Sequence, residues 1–266
     1  SGASDAGIYV GQSKAITVRY NYVEQSVAGI EIENSRDALV TGNLVTRNTG
    51  GILVFDLPNL PVMGGGNTLI EDNLVVGNDT PNFAPKGNIV AGVPRGTGVM
   101  VMANDGVWVQ GNRIADNPTA QVLVVSFPKP FTDKTYNPLP RNIVIRDNRF
   151  GNAGFAPTGD LAGLTQAGIV LPDVLWDGAT MYSVGGTPRT ESVRIVMGEN
   201  RSTRGERGSF LSLGIPVAGS PLTEAAPDPA YPPLMEIAEP EPVRIQPCAI
   251  PFDETVALQP LQPLSD

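Results

Sequence analysis

The chain has 266 residues, 41% of them hydrophobic, with no histidine, a single cysteine (Cys248) and a net charge of −9. That inventory excludes Ser-His-Asp and Cys-His catalysis, an imidazole metal site and any intrachain disulfide. The acidic balance argues against nucleic acid as a ligand, because phosphate contacts need a positive surface.

From the N-terminus, residues 7–28 (GIYVGQSKAITVRYNYVEQSVA) align without gaps on residues 29–50 (GIEIENSRDALVTGNLVTRNTG), a period of 22. A third copy begins at Gly51 (GILVFD) and resumes at Asn67 (NTLIEDNLVVGN), and a fourth runs GVMVMANDGVWVQGNRIADN from Gly98. A fifth ends in RNIVIRDNRFGN, and a sixth pairs GIVLPD from Gly168 with ESVRIVMGEN from Glu191. Within each copy apolar residues alternate, which predicts short strands. No single copy can bury its apolar side alone, so the copies must stack into a continuous core. Asn21, Asn43, Asn73, Asn112, Asn148 and Asn200 fall in one column, and Asn48, Asn78, Asn117 and Asn152 in a second. Asparagine suits such corners because it tolerates left-handed backbone and its amide can bond the same group one coil on.

The fold class predicted is therefore all-β: a right-handed parallel β-helix of about six coils over residues 1–215, with loops inserted between strands. Residues 216–266 carry 12 of the 25 prolines and eight acidic residues against one arginine, a net of −7 that leaves −2 for the body. Such a stretch runs extended. Its Ile237, Val243, Ile245, Ile250, Phe252, Val256 and Leu258 are expected to strap along the rod. No apolar run approaches the roughly 18 residues of a membrane span. The first strand starts at Gly7 with no capping element before it, so upstream coils of a longer chain or a protein partner are expected to cover that end.

The paired GIYV/GIEI and VRYN/VTGN units resemble the parallel β-helix repeats of the pectin-lyase-like superfamily over residues 4–200, and most resemble bacterial exported β-helix repeat proteins. The resemblance implies a secreted or periplasmic location and polysaccharide as the partner. It leaves the activity open, since the superfamily holds lyases, hydrolases, epimerases and tailspikes.

Alternation points Ile8/Val10, Ile30/Ile32, Ile52/Val54, Val99/Val101 and Ile169/Leu171 inward, with the fifth coil's register open. Facing outward are Tyr9 and Gly11, then Glu31 and Glu33, Leu53 and Phe55, Met100 and Met102. A second outward row reads Leu39, Leu69, Trp108, Val144 and Val196. Segments 57–66, 127–140 and 172–190 are expected on one edge of the first sheet and 78–97 and 151–167 on the other, making that sheet a groove floor.

Glu31 and Glu33 sit about 6.6 Å apart along one strand face, a workable glycosidase spacing. With Asp56 at the end of the next strand they are the candidate catalytic carboxylates. Asp56 also aligns with Asn34, Asn104 and Asp173, a pattern equally typical of turn capping, and Glu31 and Glu33 equally suit a solvated sheet face. Candidate substrate-binding residues are Tyr9, Phe55, Lys86, Arg95, Met100 and Met102, with Lys129 and Lys134 on the facing wall. No cofactor is expected; calcium enters only if the chemistry is uronate elimination. The expected function is binding or processing of a carbohydrate polymer, by a hydrolase or lyase. The rival is a non-catalytic β-helix subunit whose apolar rows dock a partner, favoured if the floor is packed and dry.

Overall fold

The computed structural model describes residues 1–232. Three parallel sheets wind around one core. The first comprises Ala6–Gly11, Ala28–Glu33, Gly50–Phe55, Thr97–Met102, Ala120–Val125, Val174–Trp176 and Phe210–Ser212, each pairing in parallel with the next. The second comprises Lys14–Arg19, Arg36–Thr41, Gly66–Glu71, Asp105–Gln110, Arg141–Arg146 and Ile195–Met197. The third holds shorter strands, Tyr22–Glu24, Leu44–Thr46, Leu74–Val76, Arg113–Ala115, Arg149–Phe150 and Arg201–Ser202. This is a parallel β-helix.

Inward residues of all three sheets meet in one column: Ile30, Ile32, Val40 and Val45 in one coil lie against Ile52, Val54, Ile70 and Val75 in the next. β-branched side chains dominate because they pack well on a pleated surface. The outward row Leu39, Leu69, Trp108, Val144 and Val196 is in register and buried as its own cluster.

The first asparagine column forms a ladder. The Asn43 Nδ2 donates to Asn73 Oδ1 (2.9 Å), Asn73 to Asn112 (3.0 Å), Asn112 to Asn148 (3.1 Å) and Asn148 to Asn200 (2.9 Å). Asn43, Asn73 and Asn112 also donate to carbonyls of their own and the preceding coil, as Asn73 does to Glu71 and Val40, and Asn148 donates to Val109 of the preceding coil. The left-handed backbone, however, belongs to the residue before the first five asparagines: Tyr20, Gly42, Asp72, Gly111 and Asp147 have φ from 53° to 65°. Asparagine is there to bond.

The second column runs Asn48 to Asn78 to Asn117 and then leaves the expected line. Asn117 donates to Gln121 Oε1, whose own amide donates to the Asn152 carbonyl, while the Asn152 side chain turns out to Asp116. The strand glycines are explained by this column. A Cβ on Gly51 would lie 2.4 Å from the Gly98 carbonyl oxygen and 3.1 Å from Asn78 Nδ2.

The later coils correct the expected register. The fifth coil enters the first sheet through Ala120–Val125, and the sixth through Val174–Trp176 rather than Gly168–Leu171. Ile169 and Leu171 pack in the outer cluster over the first sheet, following helix α1 (Asp160–Gln166), which alternation did not foretell. A seventh first-sheet strand, Phe210–Ser212, is bonded on by Asp228, whose backbone exchanges hydrogen bonds with Ser212. Tyr231 packs on Phe210 with ring centroids 6.0 Å apart. The strap residues from Ile237 to Leu258, and Cys248, lie outside the described residues.

Candidate functional site

Register along the first sheet puts Tyr9, Glu31, Leu53, Met100, Leu123, Leu175 and Leu211 in one outward column, and Gly11, Glu33, Phe55, Met102 and Val125 in the next. The floor is thus carboxylate at one end and hydrocarbon along the rest.

The insertions wall this floor, except that the segment expected at 172–190 supplies Val174–Trp176 to the floor itself. On one edge, segment 78–97 brings Val90 and Val93 over the strands through the short 3₁₀ turn Ile89–Gly92, closed by Asn82, whose amide donates to the Val90 and Val93 carbonyls. Leu161 and Leu164 of α1 join that wall. On the other, Phe127, Phe131 and Tyr136 stack edge-to-face with centroids 5.0–6.4 Å apart. Leu213, Ile215 and Leu222 close the far end. A cavity of about 860 Å³ lies over Phe55, Met100, Met102, Leu123 and Val125, lined by Val90, Val93 and Leu161 and by Ser126, Pro128 and Lys129, with the aromatic trio outside its lining. Arg95 and Lys129 stand at opposite rims; Arg95 Nε lies 2.6 Å from Asp79 Oδ1, and Lys129 is exposed. Asp177 also reaches the lining, but Ser126 N and Oγ and Ala179 N donate to its carboxylate, and burial pushes its pKa up.

Of the predicted binding residues, Phe55, Arg95, Met100 and Met102 therefore meet in one pocket, together with Lys129. Lys86 is exposed and does not line it. Tyr9, 53% exposed, lies at the first coil and donates from its hydroxyl to Glu33 Oε1 at 2.9 Å.

Glu31 and Glu33 are neither a solvated face nor part of this pocket. They are 1% and 7% exposed, and Glu31 Oε2 has no hydrogen-bond partner. Burial, reinforced by Asp5 and Glu33, pushes the Glu31 carboxyl up to about 8. Glu33 is raised by burial and by Asp5, against the bond from Tyr9; the Tyr9 hydroxyl is pushed up to about 12, by burial first. The third acid beside this pair is Asp5, which the repeat alignment passed over because it precedes the first strand.

Asp56 stands apart, at the corner where its coil leaves for the 57–65 loop. Its carboxylate accepts Gly65 N at 2.7 and 2.8 Å and Asn104 Nδ2 at 2.9 Å, and burial still pushes it up to about 6. Asn34, one coil earlier, holds the same loop through Leu57 N and the Leu57 and Val62 carbonyls. The two act as caps. The Tyr136 hydroxyl donates to the Asp56 carbonyl at 2.7 Å and ties the facing wall to the same corner.

Metal donors are sparse. The chain has no imidazole, and among the described residues no three of Cys, Asp and Glu are grouped to hold an ion. The thioethers of Met100 and Met102 lie on the pocket floor among Leu53, Phe55 and Leu123.

No curated protein and no solved structure matches the chain. The family model described as "Periplasmic copper-binding protein (NosD)" matches residues 1–153, which take in the repeats through the ladder asparagine Asn148 and more than half of the sequence. No helix among the described residues is long and apolar enough to cross a membrane. With its stacked parallel strands and a match to a periplasmic family over more than half its length, the chain is an exported β-helix protein and belongs to the NosD family.

Proposed function

We propose that this protein is a periplasmic binding protein that takes a single-chain amphiphile into the walled pocket of its first sheet, with no catalytic role for its carboxylates. One observation carries the reading: the cavity of about 860 Å³ has a floor of Phe55, Met100, Met102, Leu123 and Val125, with Arg95 and Lys129 at its rims and the Asp177 carboxylate in its lining held by Ser126 and Ala179. Apolar clefts of this size with few polar groups suit small ligands. An alkyl chain would lie along the floor and its polar end would meet Lys129 and Asp160 at the mouth. Displacement of a fluorescent probe by laurate and by dodecyl glucoside tests this. Both should compete at micromolar concentration, and Met100→Asp should lose at least tenfold while keeping the wild-type circular dichroism. Failure of both ligands, or equal binding by the variant, overturns the reading.

Carbohydrate processing is a second reading, supported by one feature: Glu31 and Glu33 are adjacent outward carboxyls with raised pKa values, one of them without a hydrogen-bond partner. Kinship with the pectin-lyase-like superfamily would strengthen it. A raised carboxyl is the acid form that glycoside cleavage needs. Screening against neutral and uronic polysaccharides, beside Glu33→Gln, decides it: activity lost in the variant supports hydrolysis, equal activity refutes it.

The copper in the family's description stands against the expectation of no cofactor. Copper centres favour imidazole and thiolate donors, and copper(I) also takes thioethers; the chain has no histidine, its one cysteine lies outside the described residues, and the pocket lining supplies two thioethers, Met100 and Met102. The described residues offer no imidazole or thiolate for such a centre.

A further inference from the structure

The outward column of the third sheet changes character halfway along the rod. It reads Tyr22, Leu44 and Leu74, then Arg113, Arg149 and Arg201, all in register. The change is visible in the repeats, where each residue follows a ladder asparagine: Asn-Tyr, Asn-Leu and Asn-Leu give way to Asn-Arg three times. Inward neighbours Ile114 and Phe150 are buried, and the three arginines are exposed. Leucine serves the position in earlier coils, so the fold has no need of arginine there. Like charges directly opposite across strands about 4.8 Å apart repel.

Their partners do not cancel this charge. Arg201 pairs with Glu199 (Nη2 to Oε2, 2.9 Å), while Arg113 and Arg149 have no ion pair among the described residues. The arginines border a cleft of about 650 Å³, whose lining includes Asp147, Glu199, Ser202 and Thr203. The Ser202–Gly205 turn, closed by Gly205 N donating to the Ser202 carbonyl at 2.9 Å, forms its end.

We infer that this arginine column is a binding site for a linear acidic polysaccharide, running along the rod axis with its carboxylates on successive guanidinium groups. Guanidinium forks match carboxylates in pairs, and one fork per coil gives a row of sites at strand spacing. The hydroxyls of Ser202 and Thr203 supply the polar lining a sugar ring requires. Duplex DNA is disfavoured because the chain's −9 charge repels a dense phosphate polyanion and Asp147 and Glu199 sit in the cleft. The site is on a different sheet from the apolar pocket and does not depend on it.

Affinity electrophoresis of the full chain through gels containing alginate, dextran or duplex DNA is the test. Alginate should retard the wild type, less so with rising salt, and dextran should not. Arg113→Gln/Arg149→Gln should weaken retardation at least tenfold with an unchanged melting temperature, while Lys14→Gln, at the opposite end of the rod, should leave it intact. The inference is overturned if alginate does not retard the wild type, if the double variant is retarded equally, if Lys14→Gln loses as much as the double variant, or if DNA binds more tightly than alginate.

Discussion

Asn73 bonds in both directions along the stack, and its replacement separates the ladder from ordinary hydrogen bonding. Asn73→Ala takes the acceptor from the buried Asn43 backbone N–H and removes the side-chain donor to the Val40 and Glu71 carbonyls. Buried unsatisfied groups cost about 1–3 kcal/mol each, so partial relaxation still leaves a loss of about 3 kcal/mol. Among the described residues nothing donates to the Asn21 side-chain oxygen, so Asn21→Ala should cost under about 1 kcal/mol. Urea unfolding of the two variants checks the difference; equal losses would mean that the ladder is not cooperative.

Glu31 governs a pH dependence at the same scale. Its carboxyl titrates near 4.5 when unfolded and about 8 when folded. Between those values the folded protein holds a proton that the unfolded chain has released, so stability falls as pH rises, by at most about 1.4 kcal/mol per pH unit. Below the window both forms are protonated, and above it the loss is complete. Glu31→Gln should reduce the slope of the stability profile across that window, leaving the contributions of Glu33, Asp56, Asp173 and Asp177, which are also raised and have the same sign. An unchanged profile by thermal melting would show that Glu31 is solvated in the folded state.

At the scale of the element, the loops rather than the strands shape the pocket, and each loop is tied to a corner by side chains. The 57–65 loop is held by Asp56 and Asn34, and the facing wall by Tyr136. Asp56→Ala should cost about 2 kcal/mol and speed amide exchange in residues 57–65 at least tenfold, with the strands protected as before. Hydrogen–deuterium exchange reads this directly. Loss of protection throughout the rod would make Asp56 a core residue instead of a cap.

For the whole molecule, the donor inventory sets the expectation for copper. In the Cys248→Ser variant no thiolate and no imidazole remain, so copper(II) should leave the melting temperature unchanged. A rise of more than a few degrees would demonstrate a carboxylate or thioether site.

The winding was legible in the repeat, because a 22-residue period with two-residue alternation has one economical solution: stack and share a core. The same periodicity assigned the outward columns, Glu31/Glu33 and Met100/Met102 included, and the two asparagine columns as far as Asn117. It failed where copies diverge. Gly168–Leu171 mimics a repeat start, but Val174–Trp176 takes the sheet position, because pairing with Val122–Val124 is decided by where the 151–173 excursion ends. Sequence alone thus determined the period and, for the four copies that keep it, the core and the facing of the strand side chains, which are local properties of the strand. Only the tertiary structure decided that Glu31 and Glu33 are buried, that Asp56 caps a loop, and that hydrocarbon walls converge over Met100. Those depend on how far insertions fold back across the sheet, and no repeat encodes the path of its own interruptions.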